Sequence, residues 1–358
     1  MWGESMPASM TLGLNPVTTE DLGQDPRHLS STESVPGRAT SKSKVVVCAG
    51  NSTSTGRVIP HALALSRDLA VELLLVHVIE PLPPAYTSFD PFEWDLRRRE
   101  AEAFVDEVSK LYGSDECGIA TQVLQGHTSE QICGCVVDNI QDIAALCRSD
   151  VETPGHIGHT ARQILELATS SVFIVPATAP ENQPARYKRL LVPLDGSTRA
   201  ESAIPFAHKI ALAEQAEIIL VHSIPDSVMT EVGPLESEEI ELKERLTRRN
   251  EGVARDYLER IKEQLRGADL QVRSLILTHG DARRLLISAI VSESADLLIM
   301  SSHGNSGYAD VPAGDFASYI LAHSSVPVLM IRRQTDSNNG HIYQGAGSKG
   351  VRLPASAL

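Results

Sequence analysis

Short apolar runs alternate with amphipathic stretches along most of the chain. In the second half, apolar runs begin near Arg189, Glu217, Leu270, Asp296 and Pro327, and helical patterns lie between them. Runs that are apolar throughout are typical of strands buried on both faces of a sheet. The strict alternation of strand and helix therefore predicts an α/β fold, in which helices cover both faces of a parallel sheet.

The pattern also predicts the boundaries of the elements in the second half. Strands are expected at 189–194, 217–222, 270–277, 296–300 and 327–332. Helices are expected at about 198–213, from beyond Pro234 to about Arg266, from Asp281 to about Glu293, and at 314–323. The turn Asp195-Gly-Ser197 can cap the first of these helices. The buried face of the long second helix is predicted to comprise Leu242, Leu246, Val253, Tyr257, Ile261 and Leu265.

The same pattern occurs earlier in the chain. His77 corresponds to His222 and Asp142 to Asp296, each within the same order of apolar runs. Predicted strands of this first copy lie near 44–49, 72–78, 119–124, 142–147 and 172–176, and its long helix spans 91–112. A chain that repeats one pattern in this way is predicted to contain two copies of one domain.

Composition divides the chain into five segments. Residues 1–42 and 334–358 are rich in small and polar residues without apolar periodicity, and they are predicted to be disordered tails. The two copies are predicted to span 43–178 and 188–333. The proline-containing segment 179–187 is predicted to be a short linker.

Charge and cysteine content narrow the functional classes. The 358 residues carry a net charge of −14, which argues against partners such as nucleic acid or an anionic membrane. No apolar run reaches membrane-spanning length, and no secretory signal is evident at the N-terminus. The odd number of cysteines, all in the first half, fits a reducing compartment. A cytoplasmic protein is therefore expected.

Three segments of the second copy carry a specific resemblance. They are Leu191-Val-Pro-Leu-Asp-Gly-Ser197, Gly280-Asp281 with Ser294-Ala-Asp-Leu-Leu-Ile-Met-Ser-Ser-His-Gly304, and Val326-Pro-Val-Leu-Met-Ile-Arg332. Together they resemble a universal stress protein domain over nearly all of 188–333, and 43–176 resembles one more weakly. The resemblance implies two doubly wound domains, each a five-stranded parallel sheet of order 3-2-1-4-5 with helices on both faces.

The resemblance also implies a site for a cofactor, ATP or AMP. Some family members bind ATP through a Gly-x2-Gly-x9-Gly-Ser/Thr pattern, and others bind no nucleotide. Carried onto this sequence, Asp195 meets the ribose and adenine end, Ser223 offers backbone to adenine, and the start of the last helix holds phosphates. The implied site comprises Pro193, Asp195, Ser223, Ser301, His303, Gly304, Gly314, Asp315 and Phe316.

Two of these positions depart from the family pattern. Ser301 stands where the first glycine belongs, and Asp315 stands where Ser or Thr belongs. An ionised Asp315 cannot donate a hydrogen bond to phosphate, and it repels a triphosphate by ~1–4 kcal/mol at surface-like dielectrics. AMP or adenosine-like ligands are then expected to suffer less than ATP. Two alternatives stay open: Asp315 caps its own helix and occupies the anion site, or Mg²⁺ bridges it to the phosphates of bound ATP.

The first copy lacks more of the implied site. Gly50 stands in place of the strand-end aspartate, and Cys147-Arg-Ser-Asp150 replaces the Ser-Ser-His-Gly turn. Only Gly158 survives, opposite Gly314. No ATP site is therefore expected in this copy. Because family domains commonly pair through the last strand, it is expected to act as a built-in partner, and a homodimer is a further candidate assembly.

Other chemical motifs receive structural interpretations. Cys133 and Cys135 are predicted to lie on one helix and to point in nearly opposite directions, so they cannot share a metal ion. His156-Ile-Gly-His159 matches a nucleotidyl transferase signature, but it precedes the last helix of its copy instead of the first. No nucleophile accompanies His303, which is assigned to loop structure. His77 and His222 are assigned to the core or to a dimer contact. No catalytic or metal residue is assigned.

The resemblance implies a non-catalytic regulatory or protective protein of the stress response that senses an adenine nucleotide. The departures at Ser301 and Asp315 favour a rival, a protein-interaction module that works without nucleotide. A weak ATPase or nucleotidyl transferase ranks last, because no activated nucleophile is evident.

Overall fold

The computed structural model describes residues 42–50, 52–81, 91–113, 118–136, 141–148, 157–167, 170–224, 237–267, 270–303 and 314–332. The predicted tails, 1–42 and 334–358, lie outside these ranges except for Lys42. None of the helices in these ranges has the length and apolar character that a membrane crossing requires.

Strands and helices alternate through both halves of the chain. The first half contains β1 (Lys44–Ala49), α1 (Ser52–Leu69), β2 (Glu72–Ile79), α2 (Pro91–Tyr112), β3 (Ile119–Gln125), α3 (Thr128–Cys135), β4 (Ile143–Cys147), α4 (His159–Leu167) and β5 (Ser171–Val175). The second half contains β6 (Arg189–Pro193), a 3-10 turn (Ala200–Ala203), α5 (Ile204–Glu214), β7 (Glu217–Ser223), α6 (Ser237–Leu265), β8 (Val272–Leu277), α7 (Ala282–Ser292), β9 (Leu297–Ser301), α8 (Asp315–His323) and β10 (Val328–Ile331).

The ten strands of the described residues belong to one sheet. Its order is β3-β2-β1-β4-β5-β10-β9-β6-β7-β8, so each half has the predicted order 3-2-1-4-5 and is parallel throughout. The halves join where β5 and β10 pair antiparallel, with Leu329 opposite Phe173. The expected α/β architecture is confirmed, and the two five-stranded sheets are continuous with each other.

Helices cover both faces of this sheet and enclose two hydrophobic cores. One core lies under α1, α2, α5 and α6, and the other lies under α3, α4, α7 and α8. Each core contains residues of both halves; Phe173 and Leu329, for example, are fully buried in the first. The cores therefore cross the junction between the halves.

The predicted buried face of α6 is wrong over the N-terminal part of that helix. Leu242 is 47% exposed and Val253 is 59% exposed, whereas Leu258 is fully buried. The buried residues of α6 are Ala254, Leu258, Ile261 and Leu265. Among the residues that the structure describes, only the C-terminal half of α6 packs on the sheet, and the apolar residues before it are exposed.

The segment between the halves is packed on the first helix. Tyr187 is almost fully buried, and its hydroxyl lies 3.0 Å from Nδ1 of His61 in α1. Asn182 donates its backbone N–H to Gly56 at 2.9 Å, and Glu181 pairs with Arg57 at 3.2 Å. The segment predicted to be a linker therefore contributes to the core.

Equivalent aspartates accept backbone hydrogen bonds at the start of the central strand in both halves. Asp142 accepts a hydrogen bond from the backbone N–H of Lys44 at 2.9 Å. Asp296 accepts from the backbone N–H groups of Lys188 at 2.8 Å and Arg189 at 3.1 Å. The repeated aspartates therefore satisfy N–H groups at the start of the central strand of each half.

Candidate functional site

Three strand ends form the floor of the candidate site. Pro193 ends β6, Ser223 ends β7 and Ser301 ends β9. Because β6 lies between β7 and β9 in the sheet, these three ends are neighbours on its carboxyl edge. Ligands of open parallel sheets bind at this edge. The structure therefore brings together three of the residues that the sequence predicted for the site.

Asp195 follows β6 in a tight turn. Its Oδ1 accepts hydrogen bonds from the backbone N–H of Ser197 at 2.9 Å and from the hydroxyl of Ser197 at 2.6 Å. Gly196 between them has φ +85°, a conformation that favours glycine. The hydroxyl oxygen of Ser197 in turn accepts the backbone N–H of Ala200 at 3.1 Å, where the 3-10 turn begins. Asp195 is exposed, and these hydrogen bonds hold its carboxylate in one orientation.

The end of β7 supplies a buried polar group. Oγ of Ser223 is buried and has no hydrogen-bond partner among the described residues. Its neighbour His222 is committed elsewhere, because His222 Nδ1 lies 2.8 Å from the carbonyl oxygen of Leu194. A buried hydroxyl without a partner costs free energy, so Ser223 is a group that a ligand could satisfy.

Tyr257 of α6 borders the same region and was not predicted as a site residue. Its ring meets the His222 ring edge-on with centroids 6.1 Å apart, and Arg260 lies over it at 5.2 Å. Burial, together with the nearby carboxylates of Glu201 and Asp195, raises the pKa of Tyr257. The sequence signal showed only helical periodicity, so it assigned Tyr257 to the core.

The turn after β9 is organised by its own side chains. Ser302 Oγ lies 2.9 Å from Nδ1 of His303, and the backbone N–H of His303 donates to Ser301 Oγ at 3.5 Å. Ser302 also donates its backbone N–H to Ile331 of β10 at 2.9 Å. His303 thus takes part in the turn, which agrees with its assignment to loop structure.

The last helix begins at the same edge of the sheet. Gly314 is the N-cap of α8, and Asp315 is its first residue and is exposed. Phe316 is half-buried and packs against the second core. The cap position itself therefore belongs to Gly314, which has no side chain to accept from the first N–H groups of the helix.

Arg283 of α7 is a cation near this helix that sequence reasoning missed. It pairs with Asp281 at 2.9 Å and lies over the ring of Tyr319 at 5.3 Å. The hydrogen bonds that Arg283 donates to the carboxylate of Asp281, and the charges of Asp281, Tyr319 and Asp315, raise the pKa of Arg283. Because Tyr319 belongs to α8, this contact places a cation beside that helix.

Gly304 and the rest of the loop 304–313 lie outside the described residues. The assignment of Gly304 to the implied site therefore stays a prediction. Among the residues that the structure does describe, no group of three or more His, Cys, Asp or Glu side chains is placed to hold a metal ion.

The equivalent edge of the first half differs in backbone as well as side chains. Gly158 precedes α4 with φ +88°, whereas Gly314 precedes α8 with φ −68°. Gly50 stands where Asp195 stands in the second half, and a side chain there would meet Ser54 Oγ at 2.9 Å. His156 lies outside the described residues, and His159 is the first residue of α4. That this half holds no ATP site stays a prediction.

The two cysteines with possible metal-ligand spacing lie on α3, as predicted. Cys133 is buried, whereas Cys135 is half-buried. Burial raises the pKa of the Cys133 thiol to about 11, so it stays protonated at neutral pH.

Comparison with known proteins identifies the second half. A model of the universal stress protein family matches residues 186–332. These residues form a universal stress protein domain. Universal stress protein MJ0577 of Methanocaldococcus jannaschii is 28% identical to this chain, over 41% of this chain and 96% of its own length.

Longer alignments extend into the first half. Universal stress protein Mb2019 of Mycobacterium bovis is 21% identical over 300 residues, which cover 76% of this chain and 90% of that protein. The crystal structure of a universal stress protein from Archaeoglobus fulgidus aligns with a TM-score of 0.60 at 16% identity, over 82% of this chain and 97% of that chain. At this identity the structural match shows the fold alone.

Proposed function

We propose that this protein is a non-catalytic regulatory or protective protein of the stress response, and that its universal stress protein domain binds an adenine nucleotide. The proposed contacts are Asp195 and Ser223 at the nucleoside end and the start of α8 at the phosphate end. Pro193, Ser301, His303 and Gly304 complete the proposed site. The free thiols of Cys48 and Cys133 support a reducing compartment such as the cytoplasm.

The contrast between two helix starts carries this proposal. At α7, the carboxylate of Asp281 accepts hydrogen bonds from the backbone N–H groups of Arg283 and Arg284. At α8, the N-cap is Gly314, and it makes no side-chain cap hydrogen bond. The first N–H groups of a helix attract an anion when no side chain satisfies them. The start of α8 is therefore suited to a phosphate.

Asp315 sets which phosphate is accepted. Its carboxylate is exposed in the first turn of α8, where a second negative charge is repelled. A nucleotide with one phosphate, such as AMP or cyclic AMP, places less charge near Asp315 than ATP does. We therefore propose the order AMP or cyclic AMP before ADP before ATP, with Mg²⁺ required only for ATP.

Titration calorimetry tests the proposal. The full-length protein is titrated with AMP, cyclic AMP, ADP and ATP, each with and without Mg²⁺. Asp195→Asn should weaken binding at least about tenfold, because a charged hydrogen-bond acceptor is lost. Asp106→Asn on the exposed surface of α2 is the matched control and should leave affinity unchanged. No binding at millimolar nucleotide would contradict the proposal.

A second candidate is an interaction module that works without nucleotide. Exposed apolar residues on the N-terminal half of α6 favour it: Ile240, Leu242 and Leu246. The same titration separates the two candidates. Absence of heat with every nucleotide, together with absence of any nucleotide in the purified protein, would favour the interaction module.

A further inference from the structure

Arg148 of the first half contacts the far end of the helix that borders the proposed site. It follows β4, and its Nη1 donates to the carbonyl oxygens of Leu321 at 3.1 Å, Ala322 at 3.0 Å and Ser324 at 3.0 Å. These carbonyls belong to the last turn of α8 and the residue after it. The contact therefore runs from one half of the chain to the other.

The chemistry of this contact stabilises the end of α8. The last carbonyl groups of a helix have no partner within it, and a cation there is favourable because the helix dipole is negative at that end. Burial lowers the pKa of Arg148, but a guanidinium stays charged at any ordinary pH. Loss of the side chain would leave several part-buried carbonyl groups without this donor.

The position of Arg148 in the repeat gives the first half a specific role. Asp142 corresponds to Asp296, so Arg148 occupies the place that Ser302 occupies in the second half. In the second half that place belongs to the turn of the proposed site, where Ser302 contacts His303. The first half lacks this turn. Arg148, which takes the place of Ser302 there, instead contacts the end of α8.

We propose that Arg148 is a positioning residue for the anion-binding end of α8. The helix has nine residues, so its ends are about 13 Å apart and it behaves as a short rigid rod. Contacts that fix its last turn therefore also fix the direction of the N–H groups after Gly314. This inference rests on the proposed function, because the ligand is the same nucleotide.

Arg332 provides a matched control. It follows β10, and its Nη2 donates to the carbonyl oxygen of Leu165 near the end of α4 in the first half. Arg332 thus makes the reciprocal contact across the same junction. The helix that it supports follows Gly158, where no nucleotide site is expected.

The test compares full-length Arg148→Met, Arg148→Lys and Arg332→Met with the wild type. Calorimetry gives the affinity for AMP and ATP, thermal unfolding gives stability, and hydrogen exchange reports the amides of α8. Arg148→Met should weaken nucleotide affinity about fivefold to thirtyfold and speed exchange at the start of α8, as expected for loss of a part-buried charged contact. Arg148→Lys keeps the charge and should recover part of the affinity.

Arg332→Met should lower the melting temperature to a similar extent but leave nucleotide affinity and α8 exchange unchanged. Equal loss of affinity in both methionine variants, or unchanged affinity in Arg148→Met, would overturn the proposal. Should Arg148→Met fail to fold, Arg148→Lys decides by the same readouts. If the wild type binds no nucleotide, the proposed function fails, and unchanged exchange of α8 in the Arg148 variants would then overturn the positioning role separately.

Discussion

Equivalent histidines near the ends of β2 and β7 make the same contacts in the two halves. Nδ1 of His77 lies 3.0 Å from the carbonyl oxygen that ends β1, and Nδ1 of His222 lies 2.8 Å from the equivalent carbonyl after β6. Each ring also meets an aromatic side chain of the long helix edge-on, Phe104 and Tyr257 respectively. Because a carbonyl can only accept, Nδ1 carries the proton in both rings. Both histidines therefore connect the end of their own strand to the end of the adjacent central strand by a hydrogen bond, which is a structural role.

In the proposed function, nucleotide preference depends on Asp315. Asp315→Ser removes the negative charge and adds a hydroxyl donor, so ATP affinity should rise at least about fivefold. AMP affinity should rise less, because AMP brings less charge to the start of α8. Calorimetry measures both. Asp315→Asn removes the charge while keeping the shape, and unchanged ATP affinity in both variants would contradict the electrostatic account.

The ionisation of Asp68 makes the free energy of unfolding depend on pH. Burial, and the charge of Glu214 across the junction, raise the pKa of Asp68 from 3.8 to about 6 despite the pairing with Arg67. A carboxyl group with a raised pKa binds its proton more tightly when folded. Its unfavourable effect on folding is therefore fully present above pH ~6 and disappears as pH falls below ~4.

Asp68→Asn should consequently raise the free energy of unfolding at pH 7 by about 1–3 kcal/mol. The gain should shrink towards zero near pH ~4, where the wild-type carboxyl group is itself protonated when folded. Urea unfolding at both pH values measures the difference, and Asp106→Asn serves as the exposed control. A variant that is less stable than the wild type at pH 7 would show that pairing with Arg67 outweighs burial.

At the scale of elements, α6 is a helix whose C-terminal half is buried against the sheet and whose N-terminal half is exposed. Leu258 and Ile261 are fully buried against the sheet, whereas Leu242 is 47% exposed. Leu258→Ala should lower the free energy of unfolding by about 2–4 kcal/mol, and Leu242→Ala by less than about 0.5 kcal/mol. Chemical denaturation of the two variants tests this. A comparable cost for Leu242→Ala would mean that the first half of α6 packs against something in solution.

The elements also show where sequence reasoning succeeds and where it stops. Hydrophobic periodicity predicted α2 with the bounds that the structure gives, Pro91–Tyr112, because every turn of that helix follows one local pattern. The same periodicity overestimated the buried face of α6, because it shows which residues could face a core but not where the sheet ends. Buried Tyr187 was missed in the same way, since the packing partner of an irregular segment lies far along the chain.

The candidate site likewise contains residues whose location the sequence predicted and residues that it did not. Strand ends and helix starts follow from the order of elements, so the common location of Pro193, Ser223 and Ser301 could be predicted. Arg283 and Arg148 could not. Arg283 contacts Tyr319 and Arg148 contacts Leu321, each through a tertiary contact between elements that the local pattern does not relate.

At the scale of the whole molecule, the two halves are built into one sheet with a twofold arrangement at its centre. Leu329 pairs with Phe173, and Val328 and Met330 pair with Ile174 and Val172 on either side of it. Both cores cross this junction, and the reciprocal arginine contacts span it. Neither half can lose its last strand without exposing apolar surface of the other.

The described sheet should therefore unfold as one cooperative unit. Calorimetry should give a single transition whose calorimetric and van't Hoff enthalpies agree, which two independent domains would not. Phe173→Ala, a change in the first half, should cost about 3–5 kcal/mol and shift the whole transition to lower temperature. Hydrogen exchange of β9 and β10 should quicken together with that of β4 and β5. Two resolved transitions, with only one displaced by Phe173→Ala, would show that the halves fold separately and that the shared cores contribute little to cooperativity.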